Sequence, residues 1–240
     1  MSSFLPPTCI NTRRDLLPQG PKDFGPRVPS KFETSVNSAF LKQYNAGSHS
    51  GSPEEIARSF VRNALHISDD RCVKSNMYTD SSIGLTHVYF QPVVDGIKVS
   101  NGEIAVHVDR SGRIVSYSDS AYRSTEASKM HLWDESAGSR DVDARSAFLR
   151  LADHLRLSVN ANQITQRIQE DTEKNRKLYI LDGIAPAHQK VTAERTYLQM
   201  EDGTLEAAWQ IEAPLGVNHY VAHVSADGER VLAQWNRTKQ

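Results

Sequence analysis

Thr86-His87-Val88-Tyr89-Phe90 alternates along the chain, and Asp95-Gly96 follows before Ile97-Lys98-Val99. A period of two puts Val88 and Phe90 on one face of a strand and His87 and Tyr89 on the other. Asp-Gly between two such runs is a strong hairpin signal, because the tight turn that joins twisted strands needs positive φ at its centre. The pattern continues. Ile104, Val106 and Val108 alternate with Glu103, His107 and Asp109, and Ser111-Gly112 turns the chain into Ile114-Val115-Ser116-Tyr117. This spacing predicts an antiparallel meander with local connections.

A helix precedes the meander. Ser52-Pro53-Glu54-Glu55 places a capping hydroxyl first, proline at the first helical position and a capping-box glutamate three residues on. Ile56, Ala57, Phe60, Val61, Ala64 and Leu65 then recur at helical spacing, so a helix over about 53–66 lays one apolar face on a sheet. The plan returns in the second half. Ala144, Ala147, Phe148, Leu151, Ala152 and Leu155 share a helix face, with Asp141 or Asp143 as its cap. Strands are expected at Leu178–Leu181, Arg195–Met200, Leu205–Ile211, Tyr220–Val224 and Arg230–Trp235, with turns at Asp202-Gly203 and Asp227-Gly228. The polar stretch 158–176 shows no period and receives no element. His107-Val108 and Gly112 are separated from His223-Val224 and Gly228 by the same number of positions, which points to two related α+β subdomains.

Residues 1–52 contain Pro6, Pro7, Pro18, Pro21, Pro26 and Pro29 among Ser, Gly, Asn and Arg. They read as an extended or disordered arm with a short helical piece near Val36–Tyr44, suited to packing along another surface. Arg13-Arg14 is a dibasic pair of a common kind. The polar segment 123–140 reads as a linker. Lys plus Arg is 28 against 29 Asp plus Glu, a net charge of −1. That balance argues against nucleic-acid binding and against a polybasic membrane surface. No stretch approaches the roughly 18 apolar residues of a spanning helix, and Pro6-Pro7 interrupts Phe4-Leu5 before a signal-peptide core forms. Cys9 and Cys72 do not make a disulfide framework.

No assembly of reactive groups emerges. His219 and His223 are four apart, a metal-binding spacing on a helix, but Tyr220 occupies the position of a zinc protease's glutamate. The segment alternates like a strand, where that spacing separates the rings by about 13 Å, too far to share one metal. Two half-exposed strand histidines is the reading adopted. There is no phosphate loop, nucleophile elbow or Cys-x-x-Cys, so no catalytic residue, metal ligand or cofactor is expected. Asp109–Gly112 reads as a hairpin turn and Cys72 as a small packed hydrophobe. Asn236-Arg237-Thr238 is a glycosylation sequon that matters only on export.

The strand block carries a resemblance. His87-x-x-Phe90-Gln91, Gly96-Ile97-x-Val99-x-Asn101, Val106 and Val108, and Gly112-x-Ile114-x-Ser116 resemble the fungalysin/thermolysin propeptide motif. Tyr197–Trp235 is similar to the companion PepSY-type module. The resemblance implies a fungalysin-type metalloprotease prodomain without its catalytic domain: an arm at 1–52, a propeptide-like module at 53–122, a linker at 123–140, a PepSY-like module at 141–236 and a tail at 237–240. It implies two tandem cystatin-like modules, each a helix on a curled antiparallel sheet. It further implies a non-catalytic role: binding, inhibiting or assisting the folding of a fungalysin-like zinc metalloprotease, in cis or in trans, outside the cell. Two departures stand beside it. No His-Glu-x-x-His occurs, and no leader is read in the chain, so a cytoplasmic location is expected if the chain is complete. Tyr89, Tyr117, Tyr122, Trp133, Trp209 and Trp235 are candidate anchors for a partner, most of them expected in the core. The alternatives are a small-molecule protein with a pocket near His87, His107 or Tyr89, and a truncated, non-functional protease remnant.

Overall fold

The computed structural model describes residues 22–47, 50–123, 130–131, 133, 140–171, 176–185 and 187–238. Cys9, Arg13-Arg14 and most of the 123–140 segment lie outside the described residues. Among the described residues the chain forms two largely antiparallel sheets, the first covered by two helices and the second by one, an α+β architecture.

The described arm residues form α1 (Ala39–Asn45), close to where a short helical piece was expected, and β1 (Lys31–Glu33), which the sequence did not announce. Ser38 caps α1 by accepting from the Leu41 amide. Helix α2 (Pro53–Asn63) begins with the capping box expected from Ser52 and Glu55. It stops short of residue 66 because His66 takes a left-handed φ of 57°. Strands β2 (Cys72–Asp80), β3 (Leu85–Val94), β4 (Ile97–Lys98), β5 (Ile104–Val108) and β6 (Ile114–Asp119) follow. The main sheet order is β1-β6-β5-β3-β2, with β4 paired to β3. Ile56, Phe60 and Val61 of α2 pack on Val88, Phe90, Ile104, Val106, Val108 and Ile114. Each such side chain contributes about 1.5–3 kcal/mol by leaving water.

The second half repeats the plan and extends it. After β7 (Met130–His131), Asp143 caps α3 (Ala144–His154) by accepting from the Ser146 amide at 2.8 Å. Strands β8 (Thr165–Asp171), β9 (Arg176–Asp182), β10 (Val191–Gln199), β11 (Leu205–Leu215), β12 (Asn218–Ser225) and β13 (Val231–Asn236) are ordered β13-β12-β11-β10-β9-β8. Trp209, 1% exposed, anchors the core with Phe148, Leu151, Ile211 and Val224. The repeat seen in the sequence has a structural counterpart: a register shift falls between His107 and Val108 against β6, and another between His223 and Val224 against β13.

The arm spans both sheets. Phe24 exchanges backbone hydrogen bonds with Gln234 at the β13 edge, and β1 pairs with β6 at the edge of the other sheet. Gly25 passes so close to Trp235 that a Cβ there would stand 2.9 Å from the ring.

Candidate functional site

The motif residues separate into three groups. Phe90, Val106 and Val108 are fully buried under α2. Gly96 and Gly112 sit at hairpin turns with φ of 78° and 79°, positions that an L side chain rarely adopts. The remaining residues build either a joint between the halves or an uncovered sheet face.

The joint is the segment 97–102. Gln91 Nε2 donates to the carbonyls of Val99 at 2.6 Å and Gly102 at 2.9 Å, which fixes the segment's shape. The segment lies where β9 leaves β10, since β9 pairs only with Val191–Ala193 and the rest of that β10 side is open. Val99 bridges Tyr197, and the Ser100 amide donates to the Tyr197 carbonyl at 2.8 Å. Asn101 imitates a strand neighbour. Its Nδ2 donates to the Gln199 carbonyl and its Oδ1 accepts from the Gln199 amide, both at 2.9 Å. Lys98 pairs with Glu194, and Thr196 Oγ1 donates to the Lys98 carbonyl. Val99 and Tyr122 complete the contact by packing with Tyr197, Leu205 and Ala207, and Ile97 lies partly buried against them.

His223 closes this joint from β12. It is 3% exposed, so it is not the half-exposed strand histidine expected; His219 alone is half-buried. Its Nε2 lies 2.7 Å from Ser100 Oγ, while Nδ1 has no hydrogen-bond partner. Burial, then the nearby cations Lys98 and Arg237, push its pKa down to about 3. The imidazole is therefore neutral and acts as a connector of the halves.

The uncovered face is the side of the first sheet opposite α2. Register places His87 beside His107 and Tyr78, and His107 beside Ser116. Tyr78 stacks on His87 at 4.7 Å, His87 meets His107 edge-on at 4.6 Å, and the Tyr78 and Tyr89 hydroxyls are 3.4 Å apart. That hydroxyl contact, followed by burial, raises the Tyr89 pKa to about 12. Burial and then His87 lower that of His107. Both imidazoles leave Nδ1 without a partner.

His87, His107 and Tyr89 thus face outward and do not line a cavity beneath the helix. That space, where the small-molecule alternative needed a pocket, is filled by Phe90 and its aliphatic neighbours. A groove of about 880 Å³ lies elsewhere, between Phe24–Pro26 and the β10–β11 and β12–β13 turns. Among the candidate anchors, Trp209 and Tyr122 are buried, and Tyr89, Tyr117, Trp133 and Trp235 are half-buried. Among the described residues the large exposed apolar side chains include Val73, Met77 and Tyr78 of β2, with Phe32, Ile83, Ile168 and Val217 elsewhere. Cys72 is buried and free, and burial raises its thiol pKa. Asn236 is half-buried, with Nδ2 donating to Asn218 Oδ1 at 2.8 Å. No group of three metal-ligating side chains and no helix long and apolar enough to cross a membrane occurs among the described residues.

Comparison with known proteins bears out the resemblance. Residues 73–121 match the Fungalysin/Thermolysin Propeptide Motif. The chain is 29% identical over 201 residues to extracellular metalloproteinase 10 of Coccidioides posadasii, covering 83% of this chain and 29% of that protein. It is 27% identical over 180 residues to extracellular metalloproteinase 10 of Uncinocarpus reesii, covering 75% and 27%. The extracellular metalloproteinase mep of Aspergillus flavus is 28% identical over 219 residues, covering 86% and 33%. The chain spans about a third or less of the length of these relatives. Among solved structures, the Bacillus megaterium YpeB C-terminal domain aligns at a TM-score of 0.35 and 6% identity, covering 81% of this chain and 68% of that one. The chain carries a fungalysin-type propeptide motif in a region similar to fungal extracellular metalloproteinases.

Proposed function

We propose that this chain is a non-catalytic prodomain-like protein that binds a fungalysin-like zinc metalloprotease, occludes its cleft and assists its folding. The observation that carries the reading is the propeptide motif at 73–121 within a region whose relatives are extracellular metalloproteinases several times its length. The architecture fits a role in binding. A prodomain needs a shape-matched, rigid surface more than reactive groups, and here two sheets are held together by a hydrogen-bonded joint while one sheet face stays uncovered.

On this reading the halves are tandem cystatin-like modules, 53–122 and a PepSY-like 141–236, with 1–52 as an arm across them, 123–140 as the linker and 237–240 as a tail. Gln91, Ile97, Val99 and Asn101 have a structural role at the joint, Gly96 and Gly112 turn the hairpins, Phe90, Val106 and Val108 hold the first module together, and His87 and Ser116 belong to its outer face. The protein acts outside the cell, beside its protease, and Asn236 is a candidate glycosylation site there.

The test is direct. The purified chain is added to an active fungalysin-type protease and peptide turnover is followed. Inhibition at micromolar concentration is expected; neither inhibition nor binding at that concentration overturns the reading.

A further inference from the structure

A sheet edge exposes a row of unpaired N–H and C=O groups, and natural proteins blunt it with short strands, charges or covering chain. Three of the four edges here are treated that way. β1 is three residues long and carries Lys31 and Glu33. The β13 edge is met by Phe24 from the arm. β8 carries Arg167, Glu170 and Asp171, and Arg167 pairs with Asp182.

β2 is different. It runs nine residues and pairs, among the described residues, with β3 alone. Val73, Met77 and Tyr78 are 50%, 44% and 49% exposed. Its two charges are withdrawn from the edge: Lys74 pairs with Glu54 on α2, and Asp80 accepts from the Ser82 amide and hydroxyl in the following turn. A register shift against β3 falls between Lys74 and Asn76, Asn76 Oδ1 accepts from the Met77 amide at 2.9 Å, and apart from Lys74 the side chains from Val73 to Thr79 are uncharged. Tyr78 continues this edge onto the aromatic face by stacking on His87. The propeptide match begins at residue 73, so β2 is the outermost strand of the matched unit, and the proteins that share the region are metalloproteinases with two thirds or more of their length outside it.

We propose that β2 is the docking edge of this protein, and that its occupant is an extended, uncharged backbone segment of the metalloprotease partner, added as a further strand next to Val73–Thr79. The proposal rests on the prodomain reading and deepens it. Main-chain hydrogen bonds supply affinity in such strand addition, and alternate side chains supply selectivity. Here Tyr78 and Met77 offer those contacts on opposite faces of the sheet.

The test compares wild type, V73K/M77K and I168K for inhibition of an active fungalysin-type protease, with thermal unfolding confirming the fold of each. All three substitutions fall on exposed positions, and I168K places the same charge on the other long edge. The expected result is inhibition about tenfold or more weaker for V73K/M77K and unchanged for I168K. Amides 73–79 are expected to gain hydrogen-exchange protection in the wild-type complex. Full inhibition by V73K/M77K, or no added protection at 73–79, overturns the edge while leaving the prodomain reading standing. Failure of the wild type to inhibit overturns both. A wild-type chain that is dimeric alone and becomes monomeric in V73K/M77K makes a second copy the occupant and overturns the proposal.

Discussion

Acidification from about pH 7.5 to pH 5 is expected to weaken the fold through His223. In the unfolded chain this imidazole takes a proton near its ordinary pKa of 6.5, whereas in the fold it stays neutral down to about 3. The cause is geometric. Nε2 is engaged with Ser100 Oγ, Nδ1 has no acceptor for a second proton, and Lys98 and Arg237 add positive potential, with Glu194 already committed to Lys98. Because the folded pKa is depressed, the unfolded state binds more protons throughout the window between the two values. Stability is therefore complete above about pH 6.5 and falls as the pH drops toward 3. Each pH unit in that window costs about 1.4 kcal/mol, so about 2 kcal/mol is lost by pH 5. For a fold of ordinary marginal stability that is a large share. Urea unfolding of wild type and His223→Gln at pH 7.5, 6 and 5 measures it. The variant cannot titrate, so its stability should fall by about 2 kcal/mol less than that of wild type across the series, all other histidines being common to both. Parallel curves for the two proteins would refute the argument.

Two further substitutions probe the joint and the second sheet. Asn101→Ala removes both side-chain bonds to Gln199 and is expected to cost about 1–3 kcal/mol, with faster hydrogen exchange at the Gln199 amide as the local readout. Gly183→Ala is expected to be more damaging than an ordinary surface change. Gly183 has φ 82° and an added Cβ would stand 2.0 Å from the Gln163 carbonyl oxygen, so a lowered unfolding midpoint and displaced β8–β9 hairpin are the expected outcomes, read by thermal unfolding.

The elements that sequence patterning revealed are those that bury one face. Helices α2 and α3 announced themselves by cap and period, and β3 and β5 by alternation over a core. Of the strands that patterning missed, the short β1 and β7 apart, β2 and β8 are outermost strands of the two sheets. Almost every residue of Cys72–Asp80 and Thr165–Asp171 is exposed. With neither face buried, nothing forces apolar residues into a period of two, and the side chains are free to be Lys, Asn, Gln, Glu or Asp. The burial of His223 was hidden for a related reason. Alternation along β12 showed that His219 and His223 share a face, but the chain that covers only one of them is Ser100, more than a hundred residues away in the other half.

The motif pattern encodes more than a hairpin sheet. Gln91 spends both amide hydrogens on the backbone of 99–102, and Asn101 spends its amide on Gln199, so these polar positions hold the first sheet to the second rather than reaching outward. That coupling has a consequence for binding. A strand added at β2 gains affinity only to the extent that the receiving edge is already fixed, since ordering it on association would subtract from the bonds formed. β2 is fixed by β3, β3 carries Gln91, and Gln91 fixes the joint. The residues that tie the halves together therefore also hold in place the strand on which a partner would dock, and loosening the joint by Asn101→Ala should weaken inhibition even though Asn101 lies away from the β2 edge.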